Sequence, residues 1–172
     1  TRYGLGSFIP ESQVDKWALY RVARYCDELV PNGLGGYEPR FTCNLYLQSR
    51  EQAYKVVQDM ASIFRGMAYW SGGAITVTQD APQDAVYQFT AANVIGGEFA
   101  YQGSSARARH TVALVSWVDP DDFYRQKVEY VEDMAGIARY GVVQADVVAM
   151  GCTSRGQANR VGKWLLYSEQ SE

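Results

Sequence analysis

The chain has 172 residues, 47% of them apolar, and a formal charge of −3 at pH 7. That apolar content excludes a disordered chain, and the mild acidity excludes a basic field for nucleic acid or a polybasic patch for a membrane anchor. The length suits one domain, or two small lobes sharing a core, and such a chain buries roughly 70% of its unfolded surface without needing a disulfide or metal.

Residues 1–10 read as an entry segment. Ser12 is placed to cap a helix, with Asp15 at its third position. Val14, Trp17, Ala18, Val22 and Tyr25 then recur at helical spacing. Pro31 should end that helix, and Pro31-Asn32-Gly33-Leu34-Gly35-Gly36 is a turn-rich loop. Residues 40–48 alternate, with Phe41, Cys43, Leu45 and Leu47 on one side, and so predict a half-buried strand. Ser49 with Gln52 forms a capping box ahead of the apolar stripe Ala53, Val56, Val57, Met60, Ala61 and Phe64, with Gly66 as the helix stop. Residues 67–70 and 74–79 predict a hairpin through Ser71-Gly72-Gly73.

Residues 80–84 are a loop around Pro82, and 98–102 predict a short strand. Residues 107–118 alternate as a long strand, with Thr111, Ala113, Val115 and Trp117 against Val112, Leu114, Ser116 and Val118. Asp119-Pro120-Asp121-Asp122 ends it. Residues 124–132 predict another strand, 133–139 one or two helical turns, and 142–150 an apolar strand. Ser154 with Gln157 repeats the capping box, and Ala158, Val161, Leu165 and Leu166 give the last helix its inner face.

The phrase at residues 49–56 (Ser-Arg-Glu-Gln-Ala-Tyr-Lys-Val) returns at 154–161 (Ser-Arg-Gly-Gln-Ala-Asn-Arg-Val). Both copies follow a strand-like run, which suggests one strand–helix unit used twice. The expected class is α+β, with mixed or antiparallel sheets and packed helices. Residues 1–80 form a first α/β lobe and 81–172 a second β-rich lobe ending in a helix. The missing initiator methionine and the terminal helix predict a piece of a longer chain.

Catalytic chemistry is sparse. His110 is the only histidine, so a Ser–His or Cys–His nucleophile would have to use it. Glu129 and Glu132, three apart on a strand, point to opposite faces and do not make a glycosidase pair. Asp119, Asp121 and Asp122 lack the spacing of a calcium loop and read as turn chemistry. The glycines at 33–36 do not run from a strand into a helix with a lysine, so they are not a phosphate loop. Cys26, Cys43 and Cys152 are too widely spaced for a disulfide framework or zinc motif and read as buried thiols. Neither cofactor nor metal is expected. Arg107 and Arg109 on one strand, with Arg125 and Lys127 on the next, suggest a subunit salt-bridge surface in preference to a phosphate-binding ridge. The 13 tyrosines exceed what one core of this size needs, so some should lie at contacts with other chains or else over strand faces.

Four phrases together carry a family resemblance. They are Asp27-Glu28-Leu29-Val30-Pro31 with Gly36-Tyr37-Glu38-Pro39-Arg40-Phe41; Ala61-Ser62-Ile63-Phe64-Arg65-Gly66-Met67; Arg109-His110-Thr111-Val112-Ala113 through Asp119-Pro120; and Tyr140-Gly141-Val142 leading to Gly151-Cys152-Thr153-Ser154-Arg155-Gly156-Gln157-Ala158. In this the chain resembles the central hub region of the tail tip attachment protein J (host specificity protein J) family of lambda-like phages and prophages. The resemblance implies a non-enzymatic, hub-like virion component. It would link the tail tube to host-recognition modules and act in host attachment and genome delivery. It implies self-association as a trimer, contact with other tail tip proteins and the tube, and receptor contact only through modules outside this chain. It implies assembly in the host cytoplasm and residence at the virion tail tip, with no membrane anchor and no specific nucleic acid. Arg107, Arg109, His110, Trp117 and Arg125 are the expected interface residues. Two similar units in each of three subunits would present six similar surfaces to a six-fold tube. The alternatives are a tail-borne wall hydrolase, which needs His110 or Glu129 beside a second titratable group in a cleft, and a carbohydrate- or receptor-binding module, which needs exposed tryptophans such as Trp70 or Trp117.

Overall fold

In the computed structural model, residues 8–47, 51–101 and 109–170 are described. The class is α+β, and the described residues form four α-helices, two antiparallel hairpins and a mixed three-stranded sheet.

Helix α1 (Lys16–Asp27) starts later than the Ser12 cap predicts. Ser12 lies in a 3₁₀ turn (Glu11–Gln13). Val14 then bridges Ile75, and the Asp15 N–H donates to the Ile75 carbonyl at 2.9 Å. That bridge keeps the backbone extended, so the cap passes to Asp15, whose Oδ1 accepts from Trp17 N and Ala18 N. Trp17, expected on the inner face, is exposed; Ala18 is the buried residue. Strands β1 (Leu29–Pro31) and β2 (Tyr37–Pro39) pair antiparallel. Asn32 closes their loop, its Oδ1 accepting from Leu34 N at 2.8 Å and Gly36 N at 3.0 Å.

The strand expected at 40–48 does not form over 41–47. The segment is extended, but its partners are not strands. Phe41 N donates to the Cys26 carbonyl, Thr42 N to Gln157 Oε1, and Asn44 N to the Gly151 carbonyl. Alternation specifies an extended chain and not the neighbour it needs. Phe41 is buried while Cys43, Leu45 and Leu47 stay exposed, so Cys43 is not the buried thiol expected of it.

Helix α2 (Ala53–Ile63) carries the predicted stripe, although Ala53 and Met60 are exposed. Ser49 lies outside the described residues, and Gln52 at the N-cap makes no side-chain capping bond. The stop falls on Arg65, at φ +57, and not on Gly66, which opens strand β3 (Gly66–Ser71). β3 pairs with β4 (Ala74–Gln79) through Gly72 and Gly73, at φ +60 and +81. Two consecutive positive φ values define the tight hairpin turn whose twist matches the strands.

The strand expected at 98–102 is absent over residues 98–101, and Gln102 lies outside the described residues. Strand β5 (Val112–Asp119) is central. It pairs antiparallel with β6 (Arg125–Glu132) and parallel with β7 (Gln144–Val148). The Asp119–Asp122 turn lies between β5 and β6, with Asp119 accepting from Asp121 N. Helix α3 (Met134–Tyr140) is capped by Asp133. Helix α4 (Arg155–Gln170) lies on β5 and β6. The predicted inner row Thr111, Ala113, Val115 and Trp117 is buried, together with Val131, Cys152, Ala158 and Leu166. Gly162 sets the approach of α4: a Cβ there would lie 2.7 Å from Val131 Cγ2.

The repeated phrase opens a helix in its second copy after a true strand. In the first copy no strand directly precedes the phrase among the described residues, and the helix opens only at Ala53, later in the phrase than in the second copy. The likeness is one of capping sequence, and the two units are built differently.

Candidate functional site

Three polar features organise the surface, and the first is a clasp between the β1–β2 hairpin and the start of α4. Glu38 accepts from Ser154 Oγ and, at 2.7 Å, from Arg160 Nη1. Arg160 Nη2 also donates to the Arg40 carbonyl at 3.0 Å. Gln157, 2% exposed, exchanges bonds with Thr42 on both sides of its amide: Oε1 accepts from Thr42 N and Oγ1, and Nε2 donates to Thr42 O, all at 3.0 Å. The capping box is therefore half realised. Ser154 accepts from Gln157 N, but the glutamine side chain reaches residue 42 instead of returning to the cap.

The second feature surrounds Glu129. Its carboxylate accepts from Arg155 Nε at 2.7 Å and Asn159 Nδ2 at 3.1 Å. Glu132 lies on the opposite face, as the spacing predicts. The third is at the far end of α4. Glu169 accepts from the His110 N–H at 2.8 Å and faces His110 Nδ1 at 2.9 Å. Among the described residues no hydroxyl or thiol is bonded to the other ring nitrogen.

Of the expected interface residues that are described, Arg109 and His110 lie just ahead of β5, and Trp117 and Arg125 lie toward its other end. Arg107 lies outside the described residues. Arg109 Nη1 donates to the Tyr140 hydroxyl at 3.0 Å. Trp117, 8% exposed, belongs to the core. Arg125 projects to solvent within 3.7 Å of Asp122. Lys127 reaches Asp119 at 2.6 Å and Asp122 at 3.3 Å. Arg125 and Lys127 thus lie against carboxylates of the turn that precedes β6.

What lies exposed is aromatic and apolar. Trp70, 57% exposed, and Tyr54 and Tyr69 wall a groove of ≈ 200 Å³ between α2 and the β3–β4 hairpin, floored by Val57, Ala68 and Ile75. Across the three-stranded sheet, the face opposite α4 shows Val128 and Val148 beside Ser116, and Tyr130 beside Leu114. Tyr20, Tyr46, Tyr87, Tyr101, Tyr124 and Tyr167 are exposed as well. Sequence reasoning foresaw the surplus of tyrosines. It missed the clasp, whose members are brought together only by folding.

Comparison with known proteins places this surface in a context. A family described as "Putative phage tail protein" matches residues 52–172. The chain belongs to this phage tail protein family. Curated relatives agree. The chain is 42% identical over 165 residues to the tip attachment protein J of Escherichia phage SECphi27, and 35% identical over 170 residues to that of Escherichia phage SECphi4. Those alignments take in 96% and 98% of this phage tail protein, but only 14% and 15% of the relatives' lengths.

Proposed function

We propose that this chain is a structural unit of the phage tail tip. It acts in the hub that joins the tail tube to the host-recognition modules and so takes part in host attachment and genome delivery. The observation that carries this reading is the near-complete alignment with two tip attachment proteins J. The surface is consistent with it, since exposed aromatic and aliphatic groups on two faces are what subunit contacts bury. In the tail the unit self-associates, as three copies around the axis, and touches other tip proteins and the tube. The two lobes, residues 1–80 and 81–172, are held together by the clasp. Arg109 and His110, just ahead of β5, with Arg125 and Arg107, are kept as a polar rim to those contacts, and Trp117 supports it from the core.

A carbohydrate-binding reading draws on the exposed Trp70. Sugar recognition needs donors and acceptors beside the ring, and the groove is walled by Ile9, Ala53, Val57, Ala68 and Ile75 with two tyrosines. That lining favours an apolar protein segment. The test is a chimera. This chain replaces the matching segment of the SECphi27 tip attachment protein J, carrying either the native groove or Trp70→Ser with Tyr54→Ser. The native chimera should enter tails. The doubly substituted one should fold as an isolated chain yet fail to enter them. Normal tails from the double variant would reject the assembly role of the groove.

A further inference from the structure

Arg65 occupies a left-handed position, φ +57, at the C-terminal end of α2. Glycine is the ordinary residue there, and a side chain held in that region is a strain that gathers at functional positions. The guanidinium stacks over Phe41 and Trp164, 5.2 Å from each ring centroid. Arg40, Arg155 and Arg160 each pair with a glutamate. Arg65 is half-buried, forms no ion pair with any described residue, and its Nε is buried without a partner. Burial lowers its pKa below the usual arginine range, and the like charges of Arg40 and Arg160 add to that, against Tyr25 and Asp80. Lys163 stands beside it on α4, exposed and without an ion partner among the described residues. The two line a shallow cavity of ≈ 390 Å³ with Arg160, Trp164, Tyr167 and Ser168. Arg160 already serves Glu38 and backbone carbonyls, and Asp80 is held by the Trp164 indole N–H at 2.8 Å. Unused donors therefore remain on Arg65 and Lys163.

We propose that this cavity receives a carboxylate, an aspartate or glutamate side chain of a neighbouring polypeptide in the assembled tail. A guanidinium held over aromatic rings has its edge left for a partner, and an edge matches a planar carboxylate in two parallel hydrogen bonds. Ring walls suit the apolar stem that carries such a group. A phosphate fits less well. The cavity flanks the C-terminal half of α4, where the helix dipole opposes a multiply charged anion, and it has no array of backbone N–H groups. The inference rests on the assembly reading for the identity of the partner, but its chemistry is testable without a tail.

The 172-residue chain, isotope-labelled for its arginine Nε–H and tryptophan indole signals, is titrated with a capped tetraglutamate peptide and separately with inorganic phosphate. The peptide should move the Arg65 and Trp164 signals saturably. Lys163→Gln should weaken it about tenfold, the size of one charge-assisted hydrogen bond. Arg65→Gly, which suits the left-handed backbone and so keeps the fold, should abolish the Trp164 response. Absence of movement, a response unchanged in both variants, or phosphate acting at lower concentration than the peptide would each overturn the assignment. A chain that binds the peptide but never enters tails would sink the assembly reading alone. A chain that enters tails but ignores the peptide would sink only this site.

Discussion

Replacing Arg160 with methionine tests the clasp between the two halves of the chain. Arg160 makes a charge-assisted bond to Glu38 at 2.7 Å and a bond to the Arg40 carbonyl at 3.0 Å. Its side chain is 20% exposed and that of Glu38 18%. Removing one partner of a buried pair costs about 3–5 kcal/mol, because the other charge is left desolvated. The residual exposure and the remaining bond from Ser154 to Glu38 place this case at the lower end, about 3 kcal/mol. For a chain of this length that is a fall in Tm of roughly 6–12 °C. The apolar stem of methionine preserves most of the packing, so the loss reports the charge. Urea unfolding followed by circular dichroism gives the stability, and a double-mutant cycle with Glu38→Gln isolates the pair. Hydrogen exchange should show residues 29–42 losing protection while β5 and β6 keep theirs. A cooperative unfolding curve shifted by less than about 1 kcal/mol would refute the clasp.

Other consequences are more local. Leu166→Ala should cost about 2–5 kcal/mol, since Leu166 is 1% exposed within the core under α4; a near-neutral result would place the core elsewhere. Asp15 is held below the ordinary carboxylate range mainly by the Ala18 N–H, and Asp119 mainly by the Lys127 ammonium. A depressed folded pKa stabilises above the unfolded value and is lost as pH falls through the folded one, so stability should drop below about pH 4. Asp15→Asn, which keeps the cap, should make that acid limb shallower in pH-dependent melting. Cys43 is exposed and Cys152 is 1% exposed, with burial raising the Cys152 thiol pKa. A maleimide should label Cys43 in the native chain and Cys152 only on unfolding, as read by peptide mass.

The legible parts of the fold are those whose signals are local. Gly72-Gly73 between two alternating runs could only be a tight hairpin. The row Thr111, Ala113, Val115, Trp117 announced a strand with one buried face, and the spacing of Ala158, Val161, Leu165 and Leu166 announced the face of α4. Residues 40–48 failed because periodicity names a conformation and not a partner; the segment found a helix end, a glutamine and a loop. The start of α1 failed because a tertiary bridge from Val14 to Ile75 outweighed a local cap. The stop of α2 failed by one residue, since a glycine at 66 hid an arginine at 65 taking the glycine-like conformation. That same slip hid the Arg65–Lys163 cavity, whose members lie far apart in the chain. The surplus of tyrosines, by contrast, was a compositional fact that folding could not absorb.

The account holds that the exposed aromatic faces exist to be covered by other chains in a tail. Footprinting with hydroxyl radicals compares Trp70 and Tyr54 in the isolated chain and in assembled tails carrying the SECphi27 chimera. Both residues should be oxidised readily in the isolated chain and become protected several-fold in the tail. Equal oxidation in the two states would contradict the account.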